Sequence, residues 1–355
     1  MNSTDQPTAM RNGEALDAAR IEEFLRDSIP ELNGEMVIQQ FSSGHSNLTY
    51  MVTFGERELV LRRPPIGTKA KTAHDMGREY HILNALKETY YYCPKPLVYT
   101  EDASIIGCPF YIMERIEGII VRRNFPPSFD QSPEKIRNLC HKLVEVHHEL
   151  HAIDYRKVGL ENFGKPEGYV KRQVEGWSMR YRNARTQDAP DCEDIIAWLL
   201  EKMPSDSARP AIIHNDFKLD NVVLDQDNPE EIIGVLDWEM ATVGDPLMDL
   251  GGSLAYWVQK DDPPDLQTIR FMPTHTQGAL SRDEIVNHYA KLSERSIDNY
   301  DFYYCFGLFR LGVIAQQIYY RFYHGQTRDE RFKMMIFAVH ALDKTARLKI
   351  ERSDL

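Results

Sequence analysis

The sequence predicts an α+β chain of two lobes, an antiparallel sheet in the first and mainly helices in the second. Three observations predict it. Short β-branched and aromatic runs separated by turn residues fill the first 116 residues, with helical stretches at 15–28 and 72–88. From about Ile119 the apolar spacing becomes helical. Within that helical half lies one more pair of β-branched runs, Asn221–Leu224 and Ile232–Leu236, joined by the turn-rich DQDNPEE. Residues 1–14 are polar and read as disordered, 15–116 as the sheet lobe and 117–355 as the helical lobe. At 355 residues the chain can bury two cores.

Composition excludes several classes. The formal net charge of −12 argues against nucleic acid or an anionic membrane as partner. The five cysteines are scattered, odd in number and form no C-x-x-C pair, which reads as reduced thiols in a cytoplasmic protein. The N-terminus has no apolar signal core, and the C-terminal ERSDL is no anchor. The long apolar run Phe302–Tyr320 contains Arg310, Gln316 and Gln317, so it reads as a buried helix and not a membrane span. Oligomeric state is left open.

Chemistry concentrates in Ile212–Asp249, IIHNDFKLDNVVLDQDNPEEIIGVLDWEMATVGDPLMD. Asp216 and Asn221 lie on the loop entering the predicted hairpin, and Asp237 on the loop leaving it. Entry and exit ends of an antiparallel pair are neighbours, so two acids and an amide converge. That set suits phosphoryl transfer. One carboxylate, Asp216, accepts the proton of an attacking hydroxyl, while Asn221 and Asp237 supply oxygens for magnesium. The spacing H-x-D-x-K-x-x-N followed by a second acid matches a kinase catalytic loop and its metal-binding acid.

HNDFKLDN…GVLDWEMATVGDPLMDLG resembles the aminoglycoside phosphotransferase and choline kinase superfamily, and within it the kinase-like domain fused to some acyl-CoA dehydrogenases. The likeness runs from about Phe41 to the C-terminal helices. It implies a two-lobed protein-kinase-like fold that binds ATP and Mg2+, with residues 15–116 as the ATP lobe and 117–355 as the catalytic and substrate lobe.

Taken in order, Ala15–Ser28 is a helix stopped by Pro30, and Met36–Gln40 and Leu48–Phe54 are strands. The turn between them, SSGHSN, resembles the family's shortened phosphate loop and implies phosphate contacts from Gly44, Ser46 and Asn47. Leu59–Pro65 is the third strand. Kinases carry a lysine there; this chain has Arg62 and Arg63, of which Arg62 continues the alignment. Glu79, on the helix 72–88, stands where the family's glutamate pairs with the strand cation. Tyr90–Tyr99 and Phe110–Glu114 complete a five-stranded sheet. FYIMERIEG looks like the hinge, with backbone groups near Glu114 and Ile116 for adenine.

Ser132–His151 begins with a Ser-Pro cap. Its His147 and His151 have the i,i+4 spacing of a zinc pair, but no further ligand cluster follows and the resemblance implies a structural role. Gly168–Tyr181 and Cys192–Met203 are helices, joined by a polar loop that can overhang the acceptor. Only about a dozen residues separate Asp237 from Asp249, too few for a peptide platform, so a small-molecule acceptor is favoured over a protein. Asp245 and Asp249 can accept backbone N–H groups of the catalytic loop, and helix capping explains Asp249 nearly as well. Arg310 and Arg321 line the acceptor site or belong to a core helix. Asp261–Gln277 is a long loop and a candidate lid.

The expected activity is transfer of phosphate from ATP to a hydroxyl of a small molecule, with Asp216 as base and Lys218 stabilising the moving charge. His214 shapes the loop. The acceptor is a hydroxyacyl-CoA or related acyl compound, or an aminoglycoside or amino alcohol. The alternative is a non-catalytic nucleotide-binding protein of kinase-like fold.

Overall fold

The computed structural model describes residues 6–11, 13–41, 47–65 and 75–355. In chain order the elements are α1 (Ala18–Ser28), β1 (Met36–Gln40), β2 (Leu48–Phe54), β3 (Arg57–Arg63), α2 (Met76–Leu86), β4 (Pro96–Thr100), α3 (Ala103–Ile106) and β5 (Phe110–Glu114). Then come α4 (Pro133–Ala152), α5 (Tyr169–Ala184), α6 (Glu193–Glu201), β6 (Ala211–Ile213), β7 (Val222–Leu224), β8 (Ile232–Val235) and β9 (Thr242–Gly244). The chain closes with α7 (Pro246–Ala255), α8 (Pro264–Thr268), α9 (Arg282–Ser293), α10 (Tyr300–Tyr323) and α11 (Met335–Glu351). Two compact units emerge: Met1–Ile120 with Asn221–Ala241, and Val121–Asp220 with Thr242–Leu355.

The first unit is built on a five-stranded antiparallel sheet in the order β1-β2-β3-β5-β4. Strand alternation sends Tyr50, Val52, Phe54, Leu59, Leu61, Phe110 and Ile112 to one face, where Ile21 and Leu25 of α1 close the core. Asp17 caps α1 by accepting the Arg20 N–H. α2 packs against β4 and β5 and buries Glu79, Ile82, Leu83 and Leu86. The expected disorder of residues 1–14 does not hold for the described part. Thr8 pairs with Gln40 on the edge strand, both amide bonds at 2.8 Å, and the Arg11 N–H donates to the Gln40 side chain. An open strand edge offers these polar groups partners that composition does not reveal.

The hairpin β7–β8 forms as predicted but joins this unit, not the helical one. Ile119 pairs with Leu224, the Val235 N–H donates to the Tyr92 carbonyl at 2.8 Å, and the Trp238 ring meets Tyr90 edge-on. Gly118 permits the crossing, since a Cβ there would sit 2.3 Å from the Leu224 carbonyl oxygen.

The second unit is helical, with one small sheet, β6–β9, that the sequence reading lacks. α7 and α10 pack unusually closely. A Cβ at Gly251 would lie 2.3 Å from the Tyr303 carbonyl oxygen, and one at Gly307 2.2 Å from that of Gly251. α10 is buried along most of its length, including Arg310 and Gln316. Among the described residues no helix is long and apolar enough to cross a membrane. The segment 261–277 is tied down, by an Asp262–Arg282 ion pair at 2.6 Å and a Thr274 hydroxyl donating to the Val258 carbonyl.

Candidate active site

In the first unit the site residues gather around Arg62. Arg62 Nη1 lies 2.7 Å from Glu79 Oε1, and Nη2 donates to Asp237 Oδ1 at 2.9 Å. The planar fork of arginine can serve two carboxylates at once, which a lysine ammonium does less well. Burial opposes charge on Arg62, but Glu79 and Asp237 outweigh it and hold the guanidinium well above its usual range. Burial pushes the Glu79 carboxyl up, while Arg62, the Tyr111 hydroxyl and the Trp238 backbone N–H pull it down. Arg63 points to the other face of β3, where its charge acts on Tyr50 and Cys108. Strand alternation therefore brings Arg62, not Arg63, to the acids.

Asp237 adopts a left-handed backbone conformation, φ 69° and ψ 61°. For a residue with a Cβ this costs about 1 kcal/mol and persists where the surroundings enforce it. The Leu236 N–H donates to the Asn221 carbonyl at 2.8 Å, so the two predicted metal ligands sit at one end of the hairpin. A carboxylate and an amide are the hard oxygen donors magnesium takes, and Asn221 and Asp237 would hold it. One Asp237 oxygen already carries Arg62.

Asn47 is buried and its amide donates to Glu239 Oε2 at 2.8 Å, a partner the sequence reading missed. Gly44 and Ser46 lie outside the described residues. The Glu114 N–H is committed to the Lys95 carbonyl at 2.8 Å, because the β5–β4 ladder extends that far. That N–H is therefore not free for a ligand.

In the second unit the chain leaves β6 and turns at Asn215, again left-handed with φ 64°, to present Asp216. Asp249 on α7 holds this turn. Its Oδ2 accepts the His214 N–H and its Oδ1 the Asn215 N–H, both at 2.7 Å. Oδ2 also meets His147 Nε2 at 3.1 Å and His151 Nε2 at 3.2 Å. These donor atoms lie within 4.8 Å of one another, a spacing a metal could also use. The proton count favours hydrogen bonds. The Asp249 carboxylate can only accept, which puts the His151 proton on Nε2 and leaves Nδ1 to accept the Tyr289 hydroxyl at 2.7 Å. Burial, with His147 beside it, lowers His151 to about 3, so the ring stays neutral. Burial would raise the Asp249 carboxyl, but the two histidines hold it well below the carboxylate range. Asp245 instead caps α7 through the Leu247 N–H at 2.8 Å. Of the two acids expected to brace the loop, one does.

The His214 ring accepts the Asp216 N–H on Nδ1 at 3.3 Å, the geometry of a loop-shaping residue. Lys218 pairs with Asp216, lies 3.7 Å from Asp220 and sits over the Tyr256 ring at 5.2 Å. Burial disfavours its charge, but Asp216 and then Tyr256 hold the ammonium above its usual range. Arg310 Nη2 donates to the Asn215 carbonyl at 2.6 Å, and the Tyr169 hydroxyl donates to the Asn215 side chain at 3.3 Å.

The family model described as the phosphotransferase enzyme family matches residues 37–278, a span that includes the Arg62 and Asp249 clusters. The chain belongs to the phosphotransferase enzyme family. This member of the family is 35% identical over 322 residues to mouse acyl-CoA dehydrogenase family member 10, covering 89% of the chain but only 30% of that protein. A crystal structure from Ralstonia eutropha, assigned to the aminoglycoside phosphotransferases, is 26% identical, with a TM-score of 0.82 over 96% of this chain and all of that one. Choline kinase from Cryptosporidium parvum, at 13% identity, has a TM-score of 0.64 over 95% of this chain and 96% of its own, and shows the shared protein-kinase-like fold.

Proposed function

We propose that this phosphotransferase moves the γ-phosphoryl group of ATP to a hydroxyl of a small molecule. Asp216 orients the hydroxyl and accepts its proton. Lys218, paired with that base, stabilises charge on the phosphoryl group as it moves. Asn221 and Asp237 would hold magnesium, whose charge would offset that of the triphosphate. The observation that supports this reading is the double engagement of Arg62 by Glu79 and Asp237, which fixes the position of the acid we assign to magnesium.

The acceptor we favour is a hydroxyacyl-CoA or a related acyl compound, because relatives of matching sequence carry acyl-CoA dehydrogenase names and are much longer than this chain. Aminoglycosides and amino alcohols are the competing acceptors. An ATP-consumption screen over the three classes tests this. Asp216→Ala is expected to cut turnover by about 1,000-fold or more with nucleotide affinity unchanged, as loss of a base at the reacting atom requires. Turnover above a tenth of wild type removes Asp216 from the role. Because Arg62 stands where kinases carry lysine, a non-catalytic nucleotide binder is the second reading. Magnesium-dependent thermal protection by ATP with no transfer to any acceptor would favour it.

A further inference from the structure

We propose that Arg310, on α10, is a positioning residue for Asp216, acting through the carbonyl group of Asn215; the inference rests on the reading of Asp216 as the base. The left-handed turn at Asn215 joins two peptide planes. The plane before it carries the Asn215 N–H, and Asp249 on α7 accepts that proton at 2.7 Å. The plane after it carries the Asn215 carbonyl and leads directly into Asp216, and Arg310 Nη2 donates to that oxygen at 2.6 Å. Tyr169 on α5 reaches the Asn215 side chain. Three helices thus grip one residue in a conformation that a non-glycine side chain rarely adopts. Rotation of the second plane would swing the Cα–Cβ bond of Asp216 directly, and Arg310 opposes that rotation.

The surroundings of Arg310 serve this contact. The residue is buried, with its guanidinium 5.3 Å from the centre of the Trp177 ring. Burying a cation is costly, and an aliphatic side chain would fill the same helix face at lower cost. The close crossing at Gly251 and Gly307 brings α10 against α7, so the carboxylate and the guanidinium that hold Asn215 come from adjacent helices. Gly252 leaves room for the guanidinium, since a Cβ there would lie 3.2 Å from Arg310 Nη1. Arg310 touches no reacting atom in this scheme. Its effect is on the geometry of the base, where a misplacement of about 1 Å is worth about 100-fold in rate.

The test compares wild type, Arg310→Lys, Arg310→Met and Asp216→Asn on the full chain. It reads kcat, KM for ATP, and backbone hydrogen exchange across residues 212–218. We expect kcat to fall about tenfold in Arg310→Lys and about 100-fold in Arg310→Met, with KM for ATP within about twofold of wild type. Exchange of the Asn215 and Asp216 amides should quicken in the same order. A folded Arg310→Met variant with wild-type kcat and wild-type exchange overturns the proposal, as does a rise in KM for ATP at constant kcat. If Arg310→Met does not fold, Arg310→Lys decides, and wild-type kcat with wild-type exchange overturns the proposal. Failure of the underlying reading looks different: Asp216→Asn keeps full turnover, or wild type transfers to no acceptor. Exchange then decides alone, and unchanged Asn215 and Asp216 amides overturn the positioning role.

Discussion

The Arg62 cluster and the Asp249 cluster each bury an ion, but they stabilise it by different means. Arg62 is a cation shared by two acids on separate elements, Glu79 on α2 and Asp237 after β8. Asp249 is an acid that faces nitrogen donors: two imidazoles and two backbone N–H groups. Ion pairing tolerates shifts of a few tenths of an ångström, and one partner, Asp237, keeps about a third of its side chain exposed at 34%. Hydrogen bonds from the backbone tolerate less, and Asp249 is 1% exposed. The first arrangement leaves one acid within reach of solvent. The second suits a loop whose conformation must not change.

The largest expected effect is therefore at Asp249. Asp249→Ala strands two buried imidazoles and two N–H groups and should cost about 4 kcal/mol in urea unfolding, with turnover near that of Asp216→Ala. A loss under about 1 kcal/mol would break the contrast drawn here. Arg62→Met comes next. It leaves Glu79 buried beside Asp237 without a cation and should cost about 3 kcal/mol. Adding Glu79→Gln should recover part of that, and a double-mutant cycle measures the coupling; additive losses would show the pair to be uncoupled.

Proton linkage sharpens the comparison further. His151 titrates at about 3 in the folded protein, against about 6.5 for an unfolded chain. Between those values the unfolded chain binds more protons. The stability His151 contributes is thus complete above about pH 6.5 and is lost as pH falls. Asp249, depressed by its histidines, adds a further loss below the carboxylate range. Glu79 is raised, so its effect has the opposite sign: stability declines as pH rises past the ordinary carboxylate value. His151→Gln should flatten the loss of melting temperature between pH 6.5 and 5, and an unchanged slope would clear His151 of it. The smallest effect is expected at Lys218. Lys218→Met should leave stability within about 1 kcal/mol while lowering kcat about tenfold or more. Wild-type kcat would remove the lysine from phosphoryl transfer.

Much of this was legible in the sequence where the signal is local. The hairpin reads from two β-branched runs around DQDNPEE, and the family resemblance from the H-x-D-x-K-x-x-N spacing. Other features depend on contacts distant in sequence. A strand's period of two says that Arg62 and Arg63 face opposite ways, but not which face receives α2. Arg310 lies in a helix that is buried on nearly all sides, so amphipathicity does not point to its partner 95 residues away. The three-residue strands β6 and β9 are too short for any periodicity. Asp245 and Asp249, four residues apart and both read as possible braces, divide their roles only once α7 is in place.

The pairing of Thr8 with Gln40 also bears on how this protein behaves in concentrated solution. Residues 36–40 form the outermost strand of the sheet, and Thr8 occupies the outward amide and carbonyl of Gln40 at its end. Losing that bridge would free the outward groups of Gln40 and lengthen the open edge, a template on which a second molecule can add its own strand. A variant with Thr8 replaced by proline, which has no N–H to donate, should self-associate more readily as concentration rises, so the bridge at Thr8 shields one end of the edge strand.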